Sequence, residues 1–160
     1  MKNNTIVYAL LASILAQAPL GYLFISLEGL VLGQGFIGFP SGIYYYLVGA
    51  ILISTIIIIV VGLPIYFALK RFGSNTSLLV SAIGFLIPVL ILCVINFSIS
   101  SYEGYSAGEN YYGTYRSTIE SGERTVWGWV KVLEDMITYG IHGVLGSMIF
   151  HKIYTGGKKA

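Results

Sequence analysis

Residues 46–69 read YLVGAILISTIIIIVVGLPIYFAL, followed at once by Lys70 and Arg71. The stretch holds no ionisable group beyond its tyrosines and is longer than the roughly 20 residues that cross a hydrocarbon core. Its Ile-rich centre is poor helix material in water, because β-branched side chains lose rotamer freedom in a helix. In lipid the backbone has no water to bond, so it closes its own hydrogen bonds as a helix. A transmembrane helix is therefore expected over 46–69, with Tyr44, Tyr45 and Tyr46 as an aromatic belt at its start and Pro64 as a kink near its far end.

Working outward, three further segments have the same character. The first runs over about 5–27, with Gln17 and Pro19 near its middle, and the proline is expected to bend it. Lys2, the apolar run Ile6–Ala16 and the triplet Ala16-Gln17-Ala18 imitate a secretion signal. Pro19 would follow the cut and the apolar run continues beyond it, so the segment is read as a retained helix. The third span is expected over 77–98, bent at Pro88, with Asn96 as its one strongly polar side chain. The fourth, over 126–150, is the least apolar: VWGWVKVLEDMITYGIHGVLGSMIF. Between the first two spans, GLVLGQGFIGFPSG (Gly29–Gly42) carries too many glycines for a stable helix or strand and is expected to lie in the membrane interface. Residues 101–124, rich in Tyr, Gly, Ser and Glu, are read as a water-facing loop.

The whole composition agrees. Of 160 residues, 56% are hydrophobic and 10% charged, against about 25% charged in ordinary soluble domains. The expected fold is all-α: one integral membrane four-helix bundle. A net charge of +2 without a basic cluster gives no reason to expect nucleic acid. Cys93, the single cysteine, sits in an apolar run and has no disulfide partner or metal-ligand spacing; it reads as a small buried hydrophobe.

Lysine and arginine are retained on the cytoplasmic side of membranes. Lys2, Lys70, Arg71, Lys152, Lys158 and Lys159 all fall on one side of a four-span arrangement. The other side has Arg116 and Arg124 set against Glu103, Glu109, Glu120 and Glu123. Both termini are therefore expected in the cytoplasm and the tyrosine-rich loop in the periplasm, which makes this a multi-pass inner-membrane protein.

With that orientation, the intramembrane polar residues gather in the outer leaflet. Glu28 ends the first span, Asn96 lies near the outer end of the third, and Lys131, Glu134 and Asp135 lie in the outer half of the fourth. Lys131, Asp135, Thr138 and His142 are spaced 4, 3 and 4 apart and share one helix face. Charges at membrane depth are costly unless paired or wet, so the stripe is expected to face the bundle interior. Lys131 and Asp135 form a natural same-helix pair, and Glu28 needs a partner at its depth, Lys131 or Arg124. Together they predict a polar cavity open to the periplasm and narrowing toward His142. The competing reading has Trp127 and Trp129 at headgroup level with the charges just below them snorkelling outward, and His142 as interhelical hydrogen-bond glue. In the outer loop, Tyr105, Tyr111, Tyr112 and Tyr115 alternate with Gly, Ser and Asn, the vocabulary of antibody binding loops. An aromatic belt on the bilayer surface is the alternative.

There is no HExxH, P-loop, GxSxG or His/Cys set, so no cofactor, metal or catalytic site is expected. VGLPIYFALKRFG (Val61–Gly73), the apolar span after it and the Gly-rich HGVLGSMIFHKIY (His142–Tyr154) resemble small four-helix inner-membrane proteins of bacteria. Several of these are immunity proteins against pore-forming toxins, colicin-like or delivered by contact-dependent secretion systems. The resemblance implies a protein that neutralises a toxin or other membrane partner from the periplasmic side; it transfers no functional residue. Two other readings stay open. One is a small channel or transporter subunit with Lys131, Asp135 and His142 along a proton or ion path, for which four helices without repeats are few unless the chain oligomerises. The other is a membrane enzyme using Asp135 and His142 as acid and base.

Overall fold

The computed structural model describes residues 2–31, 41–74, 76–98, 104–111 and 113–156. The chain is helical, with α1 (Lys2–Leu15), α2 (Gln17–Val31), α3 (Ser41–Ile57), a π-helical turn (Ile58–Gly62), α4 (Leu63–Arg71), α5 (Ser77–Ser98) and α6 (Val126–Gly156). Among the described residues, three helical stretches are long and apolar enough to cross a membrane: Asn4–Leu27, Leu47–Arg71 and Ser77–Phe97. Large apolar side chains such as Leu52, Ile56, Val60, Leu90 and Val94 are exposed on them, as suits surfaces that meet lipid rather than water. The glycine-rich segment between the first two spans lies mostly outside the described residues.

Each proline acts differently. Pro19 has no N–H to give Leu15, and its ring crowds that carbonyl; the helix breaks for one residue at Ala16, between α1 and α2, and resumes with Leu20 N–H bonded to Ala16 O at 3.3 Å. Ahead of Pro64 the backbone widens instead. The Leu63 N–H bonds Ile58 O, five residues back, and this π-helical turn absorbs the carbonyls that the proline leaves unpaired. α5 runs on through Pro88.

α6 is 31 residues long and contacts α5 from end to end. Phe97 lies against Trp129 with ring centroids 5.2 Å apart, Cys93 Sγ is 4.0 Å from Met136 Sδ, Gly84 meets Gly143 and Ser147, and Val80 shares a buried cluster with Phe150. The partners run in opposite directions at constant register, so the two helices are antiparallel and occupy the same depth. α1 packs on the other side of α6, also antiparallel, with Ser13 Oγ bonded to Gly146 O at 3.0 Å. Glycines on α6 make both approaches possible. A Cβ on Gly143 would strike the Gly84 carbonyl, and one on Gly140 would strike the Phe85 ring.

At one end of the molecule, Ala9, Tyr66, Val80, Phe150 and Tyr154 form the buried core. Tyr66 packs edge-on against Phe150 and Tyr154, its hydroxyl lies 3.2 Å from His151 Nδ1, and Lys70 Nζ donates to Tyr154 Oη at 2.8 Å. The start of α1, the end of α4 and the end of α6 therefore share that end.

The other end carries the main departure from expectation. Residues 101–124 do not form a plain loop. They contain a three-stranded antiparallel sheet in the order β1 (Ala107–Tyr111), β2 (Thr114–Glu120), β3 (Glu123–Arg124). Gly113 at φ 77° closes the first hairpin. Ser121 and Gly122 at φ 49° and 89° close the second, the double positive φ of a primed two-residue turn whose twist matches the strands. The helical class thus has a small sheet added.

Candidate functional site

The sheet is seated on the first turn of α6. Thr125 caps that helix: its Oγ1 accepts the Gly128 N–H at 3.2 Å, as N-cap threonines do. The same hydroxyl donates to Ser117 O at 2.5 Å, and the Thr125 N–H bonds Thr118 O at 3.1 Å. Gly128 is required here, because a Cβ would collide with the Thr118 carbonyl. β2 and α6 are therefore joined by backbone on both sides.

Side chains extend the seat. Arg116 lies over the Trp127 ring at 4.6 Å, and Tyr111 packs on the same indole with centroids 5.3 Å apart. Such cation–π contacts are worth about 0.5–1 kcal/mol where exposed and more when dry. The Tyr111 hydroxyl donates a short hydrogen bond to Glu134 Oε1. Arg124 Nη2 donates to Asn96 Oδ1 at 2.5 Å while its guanidinium sits 5.8 Å from the Trp129 ring. Asn96 returns its amide to Leu92 O at 2.9 Å. The end of α5, the start of α6 and the sheet are thus tied into one unit.

The sequence-predicted site residues distribute around this unit. Glu134 and Tyr111 meet, and so do Asn96 and Arg124. Lys131 Nζ and Asp135 Oδ1 are 3.6 Å apart with both side chains partly exposed. Tyr105, two residues before β1, and Tyr115 on β2 are exposed. Glu28 is on α2, but its side chain lies outside the described residues, as does Tyr112.

His142 belongs to a different place. Its Nδ1 lies 2.9 Å from Gln17 Oε1, Gln17 Nε2 donates to Ser13 O at 3.1 Å, and Phe24 packs on the imidazole with centroids 4.8 Å apart. The ring lines a cavity of about 360 Å³ between α3, α4, α5 and α6, walled by Ile53, Ile57, Ile83, Ile87 and Tyr66. Asn96, Lys131, Glu134 and Asp135 are not in its wall. The cavity beside His142 is apolar and lies along α6 away from the sheet, at whose end Asn96 and Glu134 are hydrogen-bonded to Arg124 and Tyr111. His142 lies level with the middle of α5, about 10 Å along α6 from Asp135 at 1.5 Å per residue.

Sequence reasoning passed over Gln17, Ser13, Arg116 and Tyr139. Gln17 carried a usable signal, since a buried amide in an apolar span needs a partner at its own depth. Among the described residues, no group of three or more His, Cys, Asp or Glu is placed to hold a metal.

These features describe a helical protein of membrane-spanning character with a small sheet bonded to the end of α5 and the start of α6. No family model matches the chain, and neither a curated protein nor a solved structure matches it.

Proposed function

We propose that this is a multi-pass inner-membrane binding protein of immunity type, a four-helix bundle with both termini in the cytoplasm. On this reading it recognises a pore-forming toxin or another membrane partner from the periplasmic side through the sheet. The observation that carries the proposal is the sheet itself, tied to α5 and α6 by Thr125, Tyr111–Glu134 and Arg124–Asn96 while Tyr105 and Tyr115 stay exposed. Holding a small sheet rigid costs chain entropy, and a connection between two antiparallel helices can be far shorter. Exposed tyrosines on a rigid support are good binding anchors, since they give large contacts for few lost rotamers. The orientation is supported by the gathering of Lys70, Arg71 and Lys152 at the end opposite the sheet. α6 is too polar to be counted with the three apolar spans, yet it runs the full depth of α5, and this packing supports it as the fourth.

The channel reading fits less well, because the wall of the mid-depth cavity includes His142 but neither Lys131 nor Asp135. The test is co-culture of a deletion strain with its own parent. The deletion strain is expected to be killed on contact, with rescue by the wild-type gene and not by a Tyr105→Ser/Tyr115→Ser version that reaches the membrane at normal levels. Equal survival of deletion and parent strains would remove the immunity reading.

A further inference from the structure

Little of α3 approaches α5; the two meet at the π-helical turn. The wedge left between them is the cavity of about 360 Å³. It extends along α6 from Tyr139 to Phe150, about 16 Å at 1.5 Å per residue. Water is a poor occupant. A buried water needs two to four polar partners, and away from His142 and Tyr139 the hydroxyls in the wall already have protein partners, Ser13 Oγ on Gly146 O and the Tyr66 hydroxyl on His151 Nδ1 among them. Ser54 Oγ bonds Ala50 O at 2.7 Å and Ser147 Oγ bonds Val144 O at 2.8 Å. Hydrocarbon fits Ile53, Ile57, Ile83 and Ile87, and helices of this character stand in a medium of hydrocarbon chains.

One wall, however, is chemically specific. Gln17 donates its amide N–H to the Ser13 carbonyl, which can only accept, so Gln17 Oε1 is the atom turned to His142. That oxygen also only accepts, and Nδ1 of His142 must therefore carry the hydrogen. In the neutral ring Nε2 is then a bare acceptor, and it has no hydrogen-bond partner among the described residues. Tyr139 also lines the cavity, with its ring centroid 6.4 Å from that of His142. Its hydroxyl likewise has no partner among the described residues.

We propose that this cavity binds a neutral long-chain lipid whose head is a hydroxyl group. The head donates to His142 Nε2 and accepts from the Tyr139 hydroxyl, and the tail lies in the wedge between α3 and α5. An ester or ether head cannot donate, and a carboxylate would set an acceptor against an acceptor, so both are discriminated against. The site is separate from the sheet and does not depend on the immunity reading.

The probe is hexadecanol carrying a photoreactive diazirine in its chain, applied to the full-length protein in phospholipid nanodiscs and compared with its methyl ether, which differs only in lacking the donor. Saturable labelling is expected in the peptides of residues 46–69 and 77–98, competed by unlabelled hexadecanol. The ether is expected to label about fivefold less, the worth of one neutral hydrogen bond. His142→Phe should erase the difference between alcohol and ether. Gly49 lies in the cavity wall with nothing within 4 Å of where its Cβ would stand, so Gly49→Leu should fold and lose saturable labelling altogether. Equal labelling by alcohol and ether in the wild type overturns the proposal, and so does labelling that Gly49→Leu leaves intact.

Discussion

Replacing Gly143 by alanine puts a methyl group where α5 and α6 already touch. The new Cβ would stand 2.9 Å from the Gly84 carbonyl carbon, 3.0 Å from Pro88 Cγ, and closer still to the Gly84 oxygen. None of these is the end of a flexible side chain. The Gly84 carbonyl is helix backbone, and Pro88, one turn on, is the residue that cannot bond it. The helices have to separate, at a typical overpacking cost of about 1–3 kcal/mol. They also lose a Cα–H···O contact worth about 0.5–1 kcal/mol. Against this stands the better helix propensity of alanine, about 1 kcal/mol. The net expectation is a loss of about 0.5–3 kcal/mol. The same change at Gly49, where the Cβ meets nothing within 4 Å, keeps the propensity gain and has no clash, so it should stabilise by up to about 1 kcal/mol. Detergent-purified variants titrated with SDS, with Trp127 and Trp129 fluorescence as the signal, should therefore move in opposite directions, separated by roughly 1.5–4 kcal/mol. Shifts of the same sign and size at the two glycines would refute the close approach of α5 to α6.

Two further outcomes test the register and the seat of the sheet. Met136→Cys should be bridged to Cys93 by a short bifunctional thiol reagent, seen as loss of both free thiols, because Cys93 Sγ lies 4.0 Å from Met136 Sδ; Leu133→Cys, on the exposed face of α6, should not. Tyr111→Phe removes a hydrogen bond to a carboxylate, worth about 1.5–3 kcal/mol, and should raise hydrogen exchange at residues 107–120 by about tenfold or more. Adding Glu134→Gln should bring little extra change, since the two groups serve one bond.

How much of this could be read in advance depended on the range of the interaction. The spans at 46–69 and 77–98 were evident from local composition, since lipid imposes helix on any long apolar run. Pro19 and Pro64 marked the two helix irregularities from sequence alone, although the forms they take, a one-residue break and a π-helical turn, depend on packing. The strands were missed because their alternation answers to no hydrophobic core. β2 turns Arg116 toward an indole and its carbonyls toward Thr125, so Thr114–Glu120 looked like more of the same polar loop. Gly113 and the Ser121-Gly122 pair were the available hairpin signals.

The polar residues divide in the same way. Lys131 and Asp135, four apart on one helix, could be paired on paper. Arg124 with Asn96, Tyr111 with Glu134 and His142 with Gln17 each join residues distant in the chain, and depth alone left Arg124 equally available to Glu28. By itself, the sequence determined that the chain is helical and where lipid-compatible stretches begin and end, because those follow from the solvent and from bonds made within a few residues. Only the tertiary structure decided which polar groups meet and that the space beside His142 is lined with hydrocarbon. Both depend on how glycines at 84, 140, 143 and 146 let the helices close on one another, and on where a wedge stays open between α3 and α5.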